Sequence, residues 1–296
     1  MINIDYLIID KDISNLSNYN TKAFTKYYFE INNRQDIDKL VEIKDFANQN
    51  KLEILFIWWW TNLLFAFDVF EGIVIKNCLK WWNYNEEFHI LETYSSEKIS
   101  DIAIDLFKRG QLLWKRFIWL PWSVWGAVYW NAWCFWLETE NNFLSAELLN
   151  LNTWKLEIFD KKQMNFDYRT SIVKKLENYF IISTKFDLSI LIEKYSSDVD
   201  NIHFREHRQP KWNTCGSFFK NPSREISAWK LIEDIWYKWK KLWWAFFSEI
   251  HANFLMNDWT ATYRDLLDIV EIVTKIIKDK YNIDMVPEVR IITNKN

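Results

Sequence analysis

Residues 120–136 read LPWSVWGAVYWNAWCFW. The fold and the chemistry of the chain both turn on how its tryptophans are understood. Trp119, Trp122, Trp125, Trp130, Trp133 and Trp136 crowd one short segment. They follow neither the helical nor the strand period that would gather them on one buried face. With glycine at each of these positions, residues 119–136 become GLPGSVGGAVYGNAGCFG. That is a glycine-rich turn, a short helix and a second turn, in which backbone amides can close on a phosphate.

Composition points the same way. The chain has 296 residues, with 20 Trp and 4 Gly, whereas ordinary usage of about 7% glycine predicts roughly twenty glycines. Trp and Gly counted together restore a normal glycine content. The expectation is that most or all of the tryptophans are glycine in the working protein. The simplest cause is a UGA codon that the source reads as glycine. A literally tryptophan-rich chain is the alternative.

The same substitution makes sense of other segments. Lys51–Ile57 reads as a strand, and Trp58, Trp59, Trp60, Thr61 and Asn62 come directly after it. As Gly-Gly-Gly-Thr-Asn they form a loop whose N–H groups are open to an anion. A bare triple glycine is also an ordinary flexible turn. Further on come Phe166–Ile172 (FDYRTSI), residues 209–222 (QPKWNTCGSFFKNP), Ser248–Phe254 (SEIHANF) and Val286–Ile292 (VPEVRII).

With glycine restored, residues 119–136 closely resemble the IPGSVGGAVxxNAGAYG signature of the MurB family, the UDP-N-acetylenolpyruvoylglucosamine reductases. The 58–64 loop resembles that family's GGGSNLL. The later segments resemble its FxYRDSIF, QPxxxxxGSxFKNP, SEKHANF and PEVRIIG. Thr170 replaces the family aspartate, Ile250 departs from the SEKHANF run, and Thr293 stands where the closing glycine is expected. The likeness runs from about Leu16 to Ile292. The span from Arg169 to Gln209 is short for the tyrosine-bearing loop of one branch, which points to the loop-lacking branch.

The resemblance implies an α+β chain. A FAD-binding domain of the PCMH or vanillyl-alcohol-oxidase type is expected at 1–195, in subdomains of about 1–68 and 69–195. A substrate domain is expected at 205–296. It implies FAD as cofactor, NADPH as hydride donor and UDP-N-acetylglucosamine enolpyruvate as substrate, in peptidoglycan precursor synthesis. Arg169 would stabilise developing charge, Ser217 would donate a proton and Glu288 would assist. Cofactor contacts would come from Trp58, Trp59, Trp60, Thr61, Asn62, Pro121, Trp122, Ser123, Gly126, Ala127 and Asn131. Asn221, Lys238 and Arg290 would touch substrate, with Glu288 and Arg290 reaching one site from the same strand face. Taken alone, Arg169 reads as a surface arginine at a strand end, and Ser217 as a turn residue beside Gly216. His251 reads as readily as a structural histidine as a substrate contact. Another FAD-dependent oxidoreductase of the same fold is a second possibility. A literal tryptophan protein that binds sugars or membrane surfaces is a third.

The remaining expectations are negative. A net charge of −3 implies no nucleic-acid partner. No leader and no span of about eighteen apolar residues is visible, so no membrane is expected. Cys78, Cys134 and Cys215 are odd in number and far apart, which fits a reducing cytoplasm and not a zinc site. His203 and His207 lack a third ligand, so no metal is expected. A monomer is expected. Asp36 should cap a helix to about Asn48, Ser96 should start one to Lys108, and Thr262 should cap one to about Lys280. Residues 80–83 should turn.

Overall fold

The structure is a computed structural model. It describes residues 4–57, 62–120, 122–134, 136–176, 178–190, 210 and 213–294. Trp58, Trp59, Trp60, Thr61, Pro121, Trp212, His203 and His207 lie outside them.

The first sheet contains β1 (Ile8–Asp12), β2 (Phe24–Ile31), β3 (Ile54–Ile57) and β5 (Val69–Asn77), in the order β1-β2-β5-β3. β2 and β3 both run parallel to β5, and α1 (Asp36–Asn50) makes the crossover. β5, beyond the expected boundary at residue 68, is therefore hydrogen-bonded in the middle of this sheet. Its residues alternate between two cores. Ile73 and Ile75 join Leu40 and Ile43 of α1, while Phe70 and Val74 face Phe65 and Ile292 on the other side. A strand buried on both faces reads as a continuous apolar run, and FEGIVIKN nearly does.

The second sheet is antiparallel. It contains β6 (Trp82–Asn85), β7 (Ile90–Tyr94), β10 (Phe143–Asn150), β11 (Lys155–Asp160) and β12 (Tyr179–Asp187), ordered β11-β10-β12-β7-β6. The turn expected at residues 80–83 is displaced, because Trp82 already pairs with Thr93 in the β6–β7 hairpin. One face packs on α2 (Ile99–Lys108) and α3 (Val124–Tyr129). α2 buries Ile99, Ile102, Ala103 and Leu106 but leaves Phe107 exposed. Ser96 precedes the helix and its hydroxyl instead bonds the Leu79 carbonyl.

The last third contains β13 (Lys241–Leu242), β14 (Ala245–Phe247) and β15 (Leu255–Asn257), with α6 (Ala228–Asp234) and α7 (Tyr263–Tyr281). α7 buries Leu266, Ile269, Val270, Val273 and Ile277 along one stripe. Thr262 closes a capping box: its Oγ1 accepts from Asp265 N, and the Asp265 carboxylate accepts from Thr262 N. Thr262→Ala removes the Oγ1 acceptor of Asp265 N, leaving the Thr262 N–H bond to the Asp265 carboxylate, and is expected to cost about 1 kcal/mol of stability. Thermal unfolding should then show a midpoint lower by roughly 2–4 °C.

One pairing joins segments far apart in the sequence. β16 (Arg290–Ile292) lies parallel to β4 (Leu63–Phe65). Arg290 N donates to Asn62 O at 2.8 Å. β16 is thereby tied to Asn62.

Seven of the described tryptophans have left-handed backbone: Trp119, Trp136, Trp154, Trp236, Trp239, Trp243 and Trp259, with φ between 55° and 86°. The chain has 22 phenylalanines, and no described Phe, Leu, Ile, Val or Tyr shares this conformation. Apart from Lys51, His89 and Arg169, the other non-glycine residues there are Asn and Asp, which tolerate it. Left-handed geometry costs a residue with a Cβ about 1–2 kcal/mol. Seven bulky residues would together spend roughly 7–14 kcal/mol, comparable to a domain's whole net stability of about 5–15 kcal/mol. Trp236, Trp243 and Trp259 are also at least two-thirds exposed, at 86%, 70% and 67%. Trp114 is different: it is buried, with edge contacts to Phe117 and Phe186, so a literal indole fits there.

Candidate active site

Residues 217–220 form the axis of the site. Gly216 has φ +88°, which lets the chain turn into an extended run. Ser217 bridges Phe254, and Phe219 bridges Pro287. Phe218 N donates to Asn253 O at 2.7 Å, and Glu288 N donates to Phe218 O at 2.6 Å. The Asn253 side chain holds Phe219 at both ends, accepting from its N–H and donating to its carbonyl. Ser217 and Glu288, 71 residues apart in sequence, are thus held on adjacent backbone.

Arg169 comes from a different element. Residues 167–170 form a tight turn closed by Asp167 N to Thr170 O and Thr170 N to Asp167 O, both 3.1 Å. Arg169 takes φ +54° within it. The turn is anchored to α3 by Ser171 Oγ donating to Tyr129 O and by Asn131 Nδ2 donating to Asp167 O. Asn131 also donates to Glu138 and accepts from Glu140 N.

These elements enclose a cavity of about 410 Å³ lined by Arg169, Lys174, Ser217, Lys220, Asn221 and Glu288, with Trp130, Tyr168, Thr170, Phe219 and Asn253 completing the wall. Glu288 is partly buried there. Burial pushes its carboxyl pKa above the usual range, while Arg169, Lys220 and Lys174 pull it back. A carboxyl whose pKa is raised by burial and lowered by three cations suits proton management next to a developing anion.

A second cavity of about 580 Å³ lies beside the first, lined by α1, β3, Trp125, Tyr129, Trp154 and Arg290. α3 stands between the two, with Trp130 on one and Trp125 and Tyr129 on the other. Ser123 caps α3 by accepting from Gly126 N at 3.2 Å, and Gly126 and Ala127 are buried behind it.

Arg290 therefore opens into a different cavity from Glu288. Glu288 lies in the bend before β16, so strand alternation does not carry from one residue to the other. Lys238 is paired with Glu233 at 2.7 Å and lines neither cavity. His251 accepts from Asn253 N at 3.3 Å; burial, with Lys238 adding, lowers its pKa. Asn62 donates to Glu288 O at 3.2 Å. Lys220 and Asn253 stand inside the FKNP and SEIHANF segments with no role assigned to them, and Lys174 carries no signal beyond its closeness to FDYRTSI.

The residues as written do not fit a flavin dinucleotide around α3. The Trp125 indole is buried and stacks on Tyr129, with ring centroids 4.2 Å apart. The Trp122 ring lies 5.9 Å beneath the Arg169 guanidinium, and the Trp130 ring 3.6 Å from Lys174 Nζ. Among the described residues, no cluster of His, Cys, Asp and Glu could hold a metal ion, and no helix is long and apolar enough to cross a membrane.

The architecture is of the mixed α+β class. The solved structure of the UDP-N-acetylenolpyruvylglucosamine reductase MurB from Thermus caldophilus superposes with a TM-score of 0.71, covering 96% of this chain and all of that one at 16% identity. Residues 209–292 match the family profile described as UDP-N-acetylenolpyruvoylglucosamine reductase, C-terminal domain. The reductase of Prochlorococcus marinus is 30% identical over 95% of this chain and 96% of its own length. That of Bacillus pumilus is 31% identical over 88% and 87%. The chain belongs to the UDP-N-acetylenolpyruvoylglucosamine reductase family and is an oxidoreductase.

Proposed function

We propose that the working chain carries glycine at its turn and loop tryptophans and binds FAD along the cleft beside α3. On this reading it reduces UDP-N-acetylglucosamine enolpyruvate to UDP-N-acetylmuramate with NADPH. The observation that carries this is the convergence of Arg169, Ser217 and Glu288 on one cavity from separate parts of the chain. Replacing the indoles at 122, 125 and 130 by hydrogen removes the side chains that occupy the space on both sides of α3. The first amides of α3 are already engaged, Val124 N by Glu97 O, Trp125 N by Ser95 O and Gly126 N by Ser123 Oγ. With glycine at 58–60, the amides for a pyrophosphate would come instead from residues 58–61.

Bound FAD would supply the relay of hydride from NADPH to the enolpyruvyl carbon β to the carboxylate. The chain's own residues manage the charge and the proton. Arg169, helped by Lys220, would hold the carboxylate as the α carbon gains negative charge. Ser217 would give its hydroxyl proton to that carbon, and Glu288 would share the proton inventory of the pocket. Asn221 is well placed for substrate, although its Oδ1 is already engaged by Ala228 N. Arg290 would serve the neighbouring cleft. No described feature favours a different substrate. The literal tryptophan reading is weakened by rings that stand on left-handed turns instead of rigid strands. A cytoplasmic monomer without nucleic-acid or membrane partners is in keeping with this role.

The test monitors NADPH absorbance in the glycine-restored chain with and without the enolpyruvyl nucleotide. Substrate-dependent consumption supports the reading. A yellow protein with no such dependence discards the reaction and keeps the cofactor.

Glu288→Gln gives a second check. The carboxyl pKa is raised on folding, so its ionised form opposes the fold once the pH exceeds the unfolded value near 4.3. Above that pH the variant is expected to unfold at a higher temperature than its parent, an advantage that disappears in acid. Its turnover should fall by about 10²-fold or more.

A further inference from the structure

We propose that Lys174 is a positioning residue for the reductase reaction: by capping the Arg169 carbonyl, it holds that arginine's backbone in the conformation that aims the guanidinium into the cavity. The inference rests on the function proposed above and concerns a residue to which the motifs assign nothing.

The geometry is local and specific. α5 (Ile172–Leu176) starts directly after the 167–170 turn. It is barely one turn long, and the Lys174 and Lys175 amides both return to Ser171 O. Lys174 Nζ reaches back five residues and donates to Arg169 O at 2.7 Å. Arg169 is one of only three residues among the described non-glycine, non-tryptophan positions with positive φ that are not Asn or Asp. A long cationic side chain persists in that conformation when its surroundings over-determine it. Here the two turn bonds fix the flanks, Ser171 fixes the next part of the backbone, and Lys174 fixes the carbonyl of Arg169 itself.

The amine has also left bulk water. It is half-buried, and burial pulls its pKa down to about 8, with Lys220 and Arg169 adding and Glu288 opposing. Its other close partner is the Trp130 ring. With glycine at position 130 that contact is gone, and the Arg169 carbonyl is the close partner left to the amine. A flexible lysine on a five-residue helix would gain nothing from pointing inward among cations unless the carbonyl and Glu288 held it there.

The experiment is a double-mutant cycle in the glycine-restored full chain. Lys174→Met keeps the length and removes the donor, Lys174→Arg keeps a charged donor, and each is made with Arg169 intact and with Arg169→Met. With Arg169 present, Lys174→Met should lower kcat about tenfold or more while KM for the enolpyruvyl nucleotide moves less. Lys174→Arg should recover most of that loss. With Arg169 already replaced, Lys174→Met should change kcat less than about twofold, since coupled residues are non-additive. Flavin per chain is measured throughout. Equal losses in both backgrounds would overturn the proposal by showing that Lys174 acts independently of Arg169. Loss of flavin or of the folding transition in Lys174→Met, not recovered by Lys174→Arg, would also overturn it. A parent chain without substrate-dependent turnover fails at the earlier step and removes the reductase assignment, and with it this role. A parent that turns over beside an indifferent Lys174→Met removes only this role.

Discussion

The glycine-restored chain is expected to purify yellow, with about one FAD bound per chain, and the literal tryptophan chain to purify colourless. Two separate physical effects drive the difference. The first is backbone strain. Seven described tryptophans have left-handed φ, and relieving each gains about 1–2 kcal/mol. The second is space. Trp122, Trp125 and Trp130 bring indoles to both faces of α3, where a dinucleotide would need bare backbone. The strain predicts low stability of the literal chain even without cofactor. The space predicts no flavin response even if that chain is refolded. In the restored chain, FAD at about 100 times its Kd should add about 2.7 kcal/mol. That raises the unfolding midpoint by roughly 5–10 °C for a chain of this size. Absorbance near the flavin bands, together with thermal scans with and without added FAD, measures both. Stoichiometric flavin in the literal chain would sink the glycine assignment. Peptide masses spanning residues 119–136 of the native protein would decide it directly.

The fold was legible where the signal is local. The crossover of β2, α1 and β3 could be read because a strand, a helix with a buried apolar face and a strand succeed one another within short range. α7 could be read because Thr262 and Asp265 make a capping box ahead of a regular apolar stripe. The two carriers of the site, Ser217 and Glu288, could be read only through motif resemblance, since nothing in their spacing implies contact. Their adjacency depends on residues 217–220 lying between 253–254 and 286–289, a long-range arrangement of very short extended pieces without periodicity. β16 has three residues, too few for an alternation pattern, and this is why Glu288 and Arg290 part company at its first residue. Lys174 was invisible because a lysine on a short helix reads as a solvated charge. Only the direction of its side chain, back toward Arg169 O, gives it a role.

Ser217→Ala is expected to produce the largest loss among single substitutions, about 10²–10⁴-fold in kcat. The substitution removes one oxygen from the wall of the cavity and changes little else. Ser217 is held through its backbone beside Phe254, and Gly216, with φ +88°, sets the turn that delivers it. Alanine tolerates the same extended conformation, so the cavity, the buried Asn253 clamp and Glu288 should remain in place. Substrate affinity should accordingly stay within about threefold of the parent, because the charged groups that attract the carboxylate are untouched. A serine hydroxyl is a weak acid in water, and its use as a proton donor needs cations close enough to favour the oxygen once it has lost its proton. Arg169 and Lys220 share its cavity, and their charges give Ser217 an environment that a surface serine lacks. The effect should therefore fall on the step after hydride delivery. NADPH should still bleach the flavin of the variant, while the return of colour on adding the enolpyruvyl nucleotide slows by the full factor. Stopped-flow traces of the two halves separate these outcomes. If the return of colour in Ser217→Ala matches the parent, the proton comes from another group. Glu288, already holding its proton to higher pH than a solvated carboxyl, would then take that role.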